Sequence, residues 1–313
     1  MENSSFWNGV IEDVDDPLKL GRCRVRIIGL HTSDKSMLPT EHLPWAVVLQ
    51  PTTSAAISGI GNSPSGLVCG SWVAGFFLDP PYCQQLLIIG SIPGIPSEKL
   101  GKNIGFSDPN EVYPKEDYLN QSDINKLARN EDIANTVVQI KKSNLESNIE
   151  AALNSTSWSE PNVPYNAEYP KNHVIQTESG HIEEFDDTPG NERIHRYHKS
   201  GTFEEIHPDG KKVTKIVSDN YTIVLENDKV LIKGTKFENI NGDDNIRVKG
   251  NLNIHIEGNA NILVSGNLTS EVKGNYFQKV DGVCAIVSSG NMVLSAPRID
   301  LNPPEISSPS DIF

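Results

Sequence analysis

The chain has 313 residues, of which 37% are hydrophobic, and a formal net charge of −14. Its length and hydrophobicity are sufficient to bury two or three cores, which excludes an intrinsically disordered protein. The acidic balance excludes a partner held mainly through a phosphate backbone, because such binding depends on clustered Lys and Arg, so we expect no nucleic-acid binding.

Residues 1–96 contain short runs in which apolar and polar residues alternate, which is the pattern of half-buried β-strands. The runs predict strands at residues 6–14, 22–27, 45–49, 71–78 and 85–89. Short strands in such close succession favour a small closed barrel. We expect Phe6, Trp7 and Trp72 to be exposed on this barrel, because aromatic side chains typically anchor interfaces.

Residues 97–172 differ in composition and predict a linker that carries one short amphipathic helix. Between residues 122 and 145 apolar residues recur at helical spacing, and Ser122 or Asp123 could cap the first turn. A Pro- and Tyr-rich stretch up to residue 172 then predicts an extended connector.

Residues 173–313 are strand-rich, and from about residue 230 they repeat every eight residues. In residues 248–275, VKGNLNIHIEGNANILVSGNLTSEVKGN, Gly-Asn returns at every eighth position. Even-numbered positions are apolar and odd-numbered positions mostly polar, which predicts one half-buried strand per repeat and a glycine corner where φ can be positive. The glycines in register are Gly234, Gly242, Gly250, Gly258, Gly266, Gly274, Gly282 and Gly290.

One strand and one corner per repeat are too little for a single chain to enclose a core. Three copies, each supplying one side of a triangular prism, would enclose it and leave no open sheet edge, so the repeat predicts a homotrimer. The predicted trimer core consists of Ile246, Val248, Leu252, Ile254, Ile256, Ile262, Val264, Leu268 and Val272.

Three stretches outside the repeat are distinctive: GRCRVRIIGLH, GNSPSGLVCGSWVAGFFLDPPYCQQLLIIGSIPGIP and TESGHIEEFDDTPGNERIHRYHKSGTFEEIHPDG. With the repeat, they resemble the central spike proteins of contractile phage tails of the T-even kind and the related VgrG spikes of type VI secretion systems. The resemblance implies a mainly β chain with an N-terminal OB-fold barrel (an oligonucleotide/oligosaccharide-binding fold), a linker with a short helix, and an intertwined triple-stranded β-helix. It also implies a trimeric spike that docks on a trimeric hub protein in the tail baseplate of the virion.

Two departures from this family pattern affect the expected function. T-even members carry a lysozyme domain between barrel and shaft, whereas the stretch between Gly94 and Tyr169 is too short for one. The chain also lacks the histidine-x-histidine run that holds iron at the tip of some short relatives. The resemblance therefore implies a separate tip protein of the PAAR-repeat type, docked on residues 296–313, whose prolines preclude further ladder pairing. The alternative is that this tail folds back to cap the shaft.

Carboxylates are concentrated at Glu183, Glu184, Asp186 and Asp187, and a pair of them could serve glycoside hydrolysis. Neighbouring residues of a strand point to opposite faces, so these carboxylates cannot all converge on one bond, and we expect a solvated turn.

Histidines at close spacing could bind a metal ion, but strand alternation places His195 and His198 on opposite faces, and we expect surface side chains. The histidines interpreted in this way are His195, His198, His207 and His255. The four cysteines lack CxxC spacing, which predicts neither a zinc site nor a disulfide framework. We therefore predict no catalytic, cofactor-binding or metal-binding residue.

These features favour a structural protein, a central spike that is driven through the host outer membrane when the tail sheath contracts. Two alternatives stay open: a peptidoglycan hydrolase that uses residues of the linker, and a VgrG-like spike that carries a secreted effector. The first residues show no basic region followed by an apolar run, and no window approaches the ~20 apolar residues that span a bilayer, so we expect synthesis in the host cytoplasm.

Overall fold

The computed structural model describes residues 6–63, 66–94, 99–106, 108–150, 157–299 and 301. The predicted boundary between residues 96 and 97, and most of the predicted tip-binding tail, lie outside these residues. Residues 1–242 and 243–313 form two compact units. None of the helices in the described part of the chain has the length and apolar composition needed to span a bilayer.

The N-terminal strands form a closed barrel in the order β1-β2-β3-β5-β4. The strands are β1 (Phe6–Asp13), β2 (Cys23–Ile27), β3 (Trp45–Val48), β4 (Trp72–Phe77) and β5 (Leu86–Ser91). All pairs are antiparallel except β3 and β5, which are parallel. Alternate residues point inward and form one buried cluster, as the alternation in the sequence predicted. The predicted mainly β fold with an N-terminal barrel is confirmed.

A buried ion pair fastens the loops at one end of the barrel. Glu12 and Arg26 have fully buried side chains, and Arg26 Nε donates to Glu12 Oε1 at 2.7 Å. The Arg26 guanidinium also donates to the carbonyl oxygens of Thr32 and Leu38, at 2.7 and 2.8 Å. The amide of Phe106 donates to Glu12 Oε1 at 3.0 Å, so the start of the linker is held at the same point.

The single amphipathic helix predicted in the linker is divided in two. Helix α1 (Lys126–Arg129) and helix α2 (Val137–Ser143) are separated by a short 3-10 turn. The break occurs where Asn130 and Asp132 adopt the left-handed conformation, with φ of 52° and 48°. Asparagine and aspartate tolerate this conformation better than most residues, so the break is local in origin.

The chain after the linker forms an antiparallel sheet of five strands in sequence order. They are β6 (Asn172–Gln176), β7 (Ile182–Asp186), β8 (Arg193–Tyr197), β9 (Phe203–Ile206) and β10 (Lys212–Lys215). Each of the four connections contains a glycine with positive φ, the conformation that tight hairpin turns require. One face of the sheet packs against linker residues, which include Leu127, Val137, Val138, Tyr165 and Ala167.

Beyond β10 the chain bends at a constant interval. Bends recur every eight residues from residues 217–218 to 289–290, and the segments between them contain no ladder pairing within the chain. The glycines of the repeat occupy the second position of each bend from 234 onward. The same geometry begins two repeats earlier, at Ser218 and Glu226, where the sequence has no glycine.

Candidate functional site

The repeat exposes an extended series of apolar side chains. Every residue from 216 to 299 is exposed in the single chain. Large apolar side chains among them are widely open to solvent, with Ile246 79%, Ile254 73% and Ile262 85% exposed. An apolar surface of this extent on one chain is typical of a protein that buries it against another chain.

One apolar position of the repeat is β-branched more often than its other apolar positions. The residue two positions before each corner glycine is β-branched in seven repeats and is about half exposed in the single chain, more shielded than most apolar residues of the repeat. These residues are Ile232, Ile240, Val248, Ile256, Val264, Val272 and Val280. Their stiff side chains suit a fixed packing position on a strand.

The corner glycines are not explained by the single chain. None of them lies in the left-handed region, so the expectation of positive φ at these corners is wrong. A Cβ added at any of the eight would meet no atom within 4 Å. Neither backbone strain nor crowding within one chain therefore requires glycine, and the strict recurrence points to a constraint from outside it. The assignment of the even-numbered residues to a trimer core stays a prediction.

The acidic cluster does not form a solvated turn, contrary to the expectation from the sequence. Glu184 and Asp186 lie on β7 with their side chains buried, whereas Glu183 and Asp187 point to the other side. The predicted alternation of faces is correct. The predicted solvation is wrong for two of the four carboxylates, because linker residues cover this face of the sheet.

Glu184 is the centre of a buried network of charges. Its carboxylate accepts hydrogen bonds from Arg193 at 2.8 Å, from Asn172 at 3.0 Å and from His195 Nδ1 at 2.6 Å. Burial raises the pKa of Glu184, but the hydrogen bond from His195 and the charge of Arg193 outweigh it and lower the pKa from 4.5 to about 2. The carboxylate is therefore ionised at neutral pH.

His195 is buried, although a surface position was predicted for it. Burial lowers the pKa of His195 below its ordinary value, so the ring is neutral and Nδ1 carries the proton that it donates to Glu184. Its Nε2 has no hydrogen-bond partner within the described ranges. His198, one residue beyond β8, is exposed as predicted, and His207 is 8% exposed, against the prediction.

Glu205 extends the network to the linker. Its carboxylate binds Arg193 at 2.9 Å and the ammonium group of Lys141 on helix α2 at 2.6 Å. His207 Nε2 lies 3.3 Å from the same carboxylate. Glu184, Arg193, Glu205 and Lys141 thus each have a partner of opposite sign, and the network fastens the linker to the sheet. The described residues include no group of three or more His, Cys, Asp or Glu side chains arranged to hold a metal ion.

The barrel presents a second apolar surface. Phe6 and Trp72 are exposed, as predicted, but Trp7 is buried because it occupies an inward position of β1. Cross-strand neighbours connect Phe6 to Phe76, Phe76 to Leu87 and Leu87 to Val47. This row crosses four strands on the outside of the barrel, and Phe6 and Val47 at its two ends are exposed.

Comparison with known proteins gives matches to phage tail proteins. Residues 29–172 match the family model of the Gp5 N-terminal OB domain. Protein Gp5 of Vibrio phage KVP40 is 43% identical over 273 residues, which cover 78% of this chain and 65% of that protein. The pre-baseplate central spike protein Gp5 of Enterobacteria phage T4 is 48% identical over 118 residues, which cover 36% of this chain and 20% of that protein. The chain thus spans less than two thirds of the length of both relatives.

Proposed function

We propose that this chain is the structural central spike of a contractile phage tail baseplate. It matches the Gp5 N-terminal OB domain and, as its sequence predicted, resembles the phage central spike proteins. In this proposal the barrel docks on a trimeric hub protein, and the repeat forms a shaft that pierces the host outer membrane when the sheath contracts.

The open apolar face of residues 216–299 is the observation that carries the proposal. One chain forms no ladder over this stretch and buries none of it. Three copies that interleave their extended segments would pair the free backbone groups and bury the even-numbered apolar side chains. The corner glycines, which are uncrowded in one chain, would then allow neighbouring chains to approach closely.

Such an assembly suits a mechanical role. Interleaved chains cannot separate one strand at a time, so unfolding requires the concerted loss of many strands and has a high kinetic barrier. A spike that transmits force during sheath contraction needs this resistance more than it needs flexibility. The network of Glu184, Arg193 and Glu205, which Lys141 of helix α2 joins through Glu205, adds a fixed connection between linker and sheet.

The linker gives no support to a hydrolase. The described part of it covers the sheet, and its Lys141 is committed to Glu205. Glu184 and Asp186, which could have served as a carboxylate pair, are buried beneath it and are out of reach of a polysaccharide. We expect the purified chain to leave the turbidity of a peptidoglycan suspension unchanged, and clearing of the suspension would restore the hydrolase hypothesis.

A VgrG-like effector carrier would share the same architecture, so the chain itself does not separate the two roles. Both relatives named above are phage proteins, which favours the tail baseplate. Neighbouring genes for tail tube and baseplate proteins would support this role, and neighbouring secretion genes would contradict it.

The native mass of the purified chain tests the proposal directly. We expect a mass of three chains in native mass spectrometry. Ile254→Asp places three carboxylates on the axis of the shaft, each of which costs several kcal/mol to desolvate, and should prevent assembly. Asn253→Asp, on the polar side of the same strand, is the matched control and should assemble normally. A monomeric wild-type chain, or equal assembly of the two variants, would overturn the proposed architecture.

A further inference from the structure

The first repeats after β10 carry apolar side chains on both of their faces. Val224 is 50% exposed, like the β-branched residues of the later repeats, so the even-numbered series extends to it. The odd-numbered residues Tyr221, Ile223 and Leu231 lie on the opposite face and are 80% exposed or more. From residue 239 to residue 261 every odd-numbered position is polar. The three odd-numbered residues thus form a local apolar patch, which the core of the proposed trimer does not bury.

A hairpin of the linker lies beside these repeats. Its two arms, residues 144–150 and 158–160, are joined by reciprocal backbone hydrogen bonds between Ile149 and Trp158, at 2.8 and 3.0 Å. Trp158 is 40% exposed in the single chain. The hairpin therefore has an aromatic side chain that is available for a contact with another chain.

The hairpin is attached to its own chain at two separate points, one in β10 and one in the third repeat after it. Lys215 Nζ donates to Glu160 Oε2 at 2.8 Å and also to the carbonyl oxygen of Asn144. Asn239 Nδ2 donates to the carbonyl oxygen of Glu150 at 3.0 Å. Both attachments fix the hairpin alongside the stretch of repeats that carries the apolar patch.

The bends between the two attachment points determine what lies under the hairpin. They occur at residues 217–218, 225–226 and 233–234. In a triangular prism each bend moves the chain to the next side, so three bends bring it once around the axis and back to the side where it began. Each side also receives one strand from each of the three chains in every turn. The strands between Lys215 and Asn239 on that side then come from the two neighbouring copies. One carries Tyr221 and Ile223, and the other carries Leu231.

We propose that the linker hairpin of each chain crosses the apolar patch of its two neighbours, so that the three hairpins form a collar around the first turn of the shaft. The inference rests on the proposed trimer and gives the linker a role in it. Trp158 supplies apolar contact area to the patch. The outward positions become polar from Asn239, where the second attachment of the hairpin lies, so the patch ends where its cover ends.

Cross-linking between differently tagged chains tests the collar. Trp158→Cys and Ile223→Cys are introduced into separate full-length chains, each with Cys284→Ser, which removes an exposed native thiol. The two chains are co-expressed and purified through both tags, so a short bis-maleimide can join the two positions only between chains. Asn253→Cys in place of Ile223→Cys is the matched control, because it is an odd-numbered position of a later repeat. Mass spectrometry identifies the cross-linked peptides.

We expect Trp158→Cys to be cross-linked to Ile223→Cys, and not to Asn253→Cys, in particles with the mass of three chains. If the two positions are cross-linked only when one chain carries both substitutions, the hairpin covers its own repeats and the collar is wrong although the trimer stands. The collar is equally wrong if such particles give no cross-link in either arrangement. If the native mass is that of one chain, both the trimer and the collar are wrong.

Hydroxyl-radical footprinting of the unmodified chain gives an independent measurement. Tyr221 and Tyr82 are 80% and 77% exposed in the single chain, and Tyr82 lies in the barrel. We expect Tyr221 to be oxidised severalfold more slowly than Tyr82 in particles with the mass of three chains, because the hairpins cover it. Equal oxidation of the two tyrosines would contradict the collar.

Discussion

Neutralising Glu184 should weaken the five-stranded sheet by an amount that follows from the surroundings of its carboxylate. Its carboxyl group is fully buried and has a pKa of about 2, against an ordinary 4.5. Because one pKa unit corresponds to about 1.4 kcal/mol, the ionised carboxylate stabilises the folded sheet by about 3 kcal/mol at pH 7. Glu184→Gln keeps the shape of the side chain, removes this contribution and deprives Arg193 of one of its two buried carboxylates.

Hydrogen exchange of the full chain, followed by mass spectrometry, measures this loss locally. A decrease of about 3 kcal/mol corresponds to an exchange rate about 100-fold faster in peptides from β7 and β8, if exchange proceeds through opening of the sheet. Asp209→Asn, in the turn between β9 and β10, is the control. Asp209 is paired with Lys211 in an exposed ion pair, which contributes little to stability in water, so its exchange should change severalfold at most.

The pH dependence gives an independent check with a defined sign. The folded pKa of Glu184 is depressed, so its contribution is fully present above about pH 4.5 and is lost as the pH falls towards 2. The difference between wild type and Glu184→Gln should therefore shrink to about 1 kcal/mol at pH 3. Burial also lowers the pKa of His195, so the unfolded chain takes up a proton below about pH 6.5 that the folded chain does not, which further reduces stability in acid. Exchange in Glu184→Gln equal to wild type at pH 7, or an equal difference at pH 7 and pH 3, would contradict the reasoning.

Three further predictions concern other parts of the chain. Gly105→Ala should destabilise the barrel by about 1–3 kcal/mol, because its Cβ would overlap the Arg26 side chain. Gly101→Ala is the control, because its Cβ meets no atom and the variant should match wild type. Urea unfolding followed by tryptophan fluorescence measures both. A truncation that begins at residue 122 keeps the linker that covers the sheet and should trimerise without binding the hub protein in a pull-down; recovery of the hub would show that the barrel is not the docking domain. Deletion of residues 296–313 should leave the trimer intact and abolish co-purification of a PAAR-type tip protein, and retained binding would move that site into the last repeats.

The barrel could be predicted from the sequence because its signal is local. Alternation within each strand determines which side chains point inward, and five of five predicted strands are present within a few residues of their predicted ends. Trp7 is the exception: its aromatic character favours an interface position, whereas alternation with the outward residues Phe6 and Asn8 places it inside the barrel.

The buried charges could not be predicted in the same way, because their burial depends on residues distant in the sequence. Glu184, His195 and Glu205 are polar residues at inward positions, and their polarity favoured a solvated position. Their cover comes from the linker, where Lys141 is 64 residues from its partner Glu205. The useful signal was the parity of these residues, which is shared with the apolar positions Ile182, Tyr197 and Phe203.

The repeat shows the opposite limit. Its sequence predicted the spacing of the corners correctly. The contacts within one chain, however, do not explain why the corners are glycine. The two repeats before Gly234 bend at the same interval without glycine, so glycine is not required for the eight-residue interval.

The constant interval between bends also restricts how such a shaft can change in length. In the proposed trimer, inserting a single residue would turn every later side chain of that segment to the opposite face and expose the apolar series to water. Inserting two residues would restore the faces but displace the corners, which recur at eight-residue intervals from 217–218 to 289–290. Only whole repeats can be added or removed without disturbing either feature. The reach of the proposed shaft is therefore a discrete quantity, and in this proposal tails that cross envelopes of different thickness are matched to them by the number of repeats.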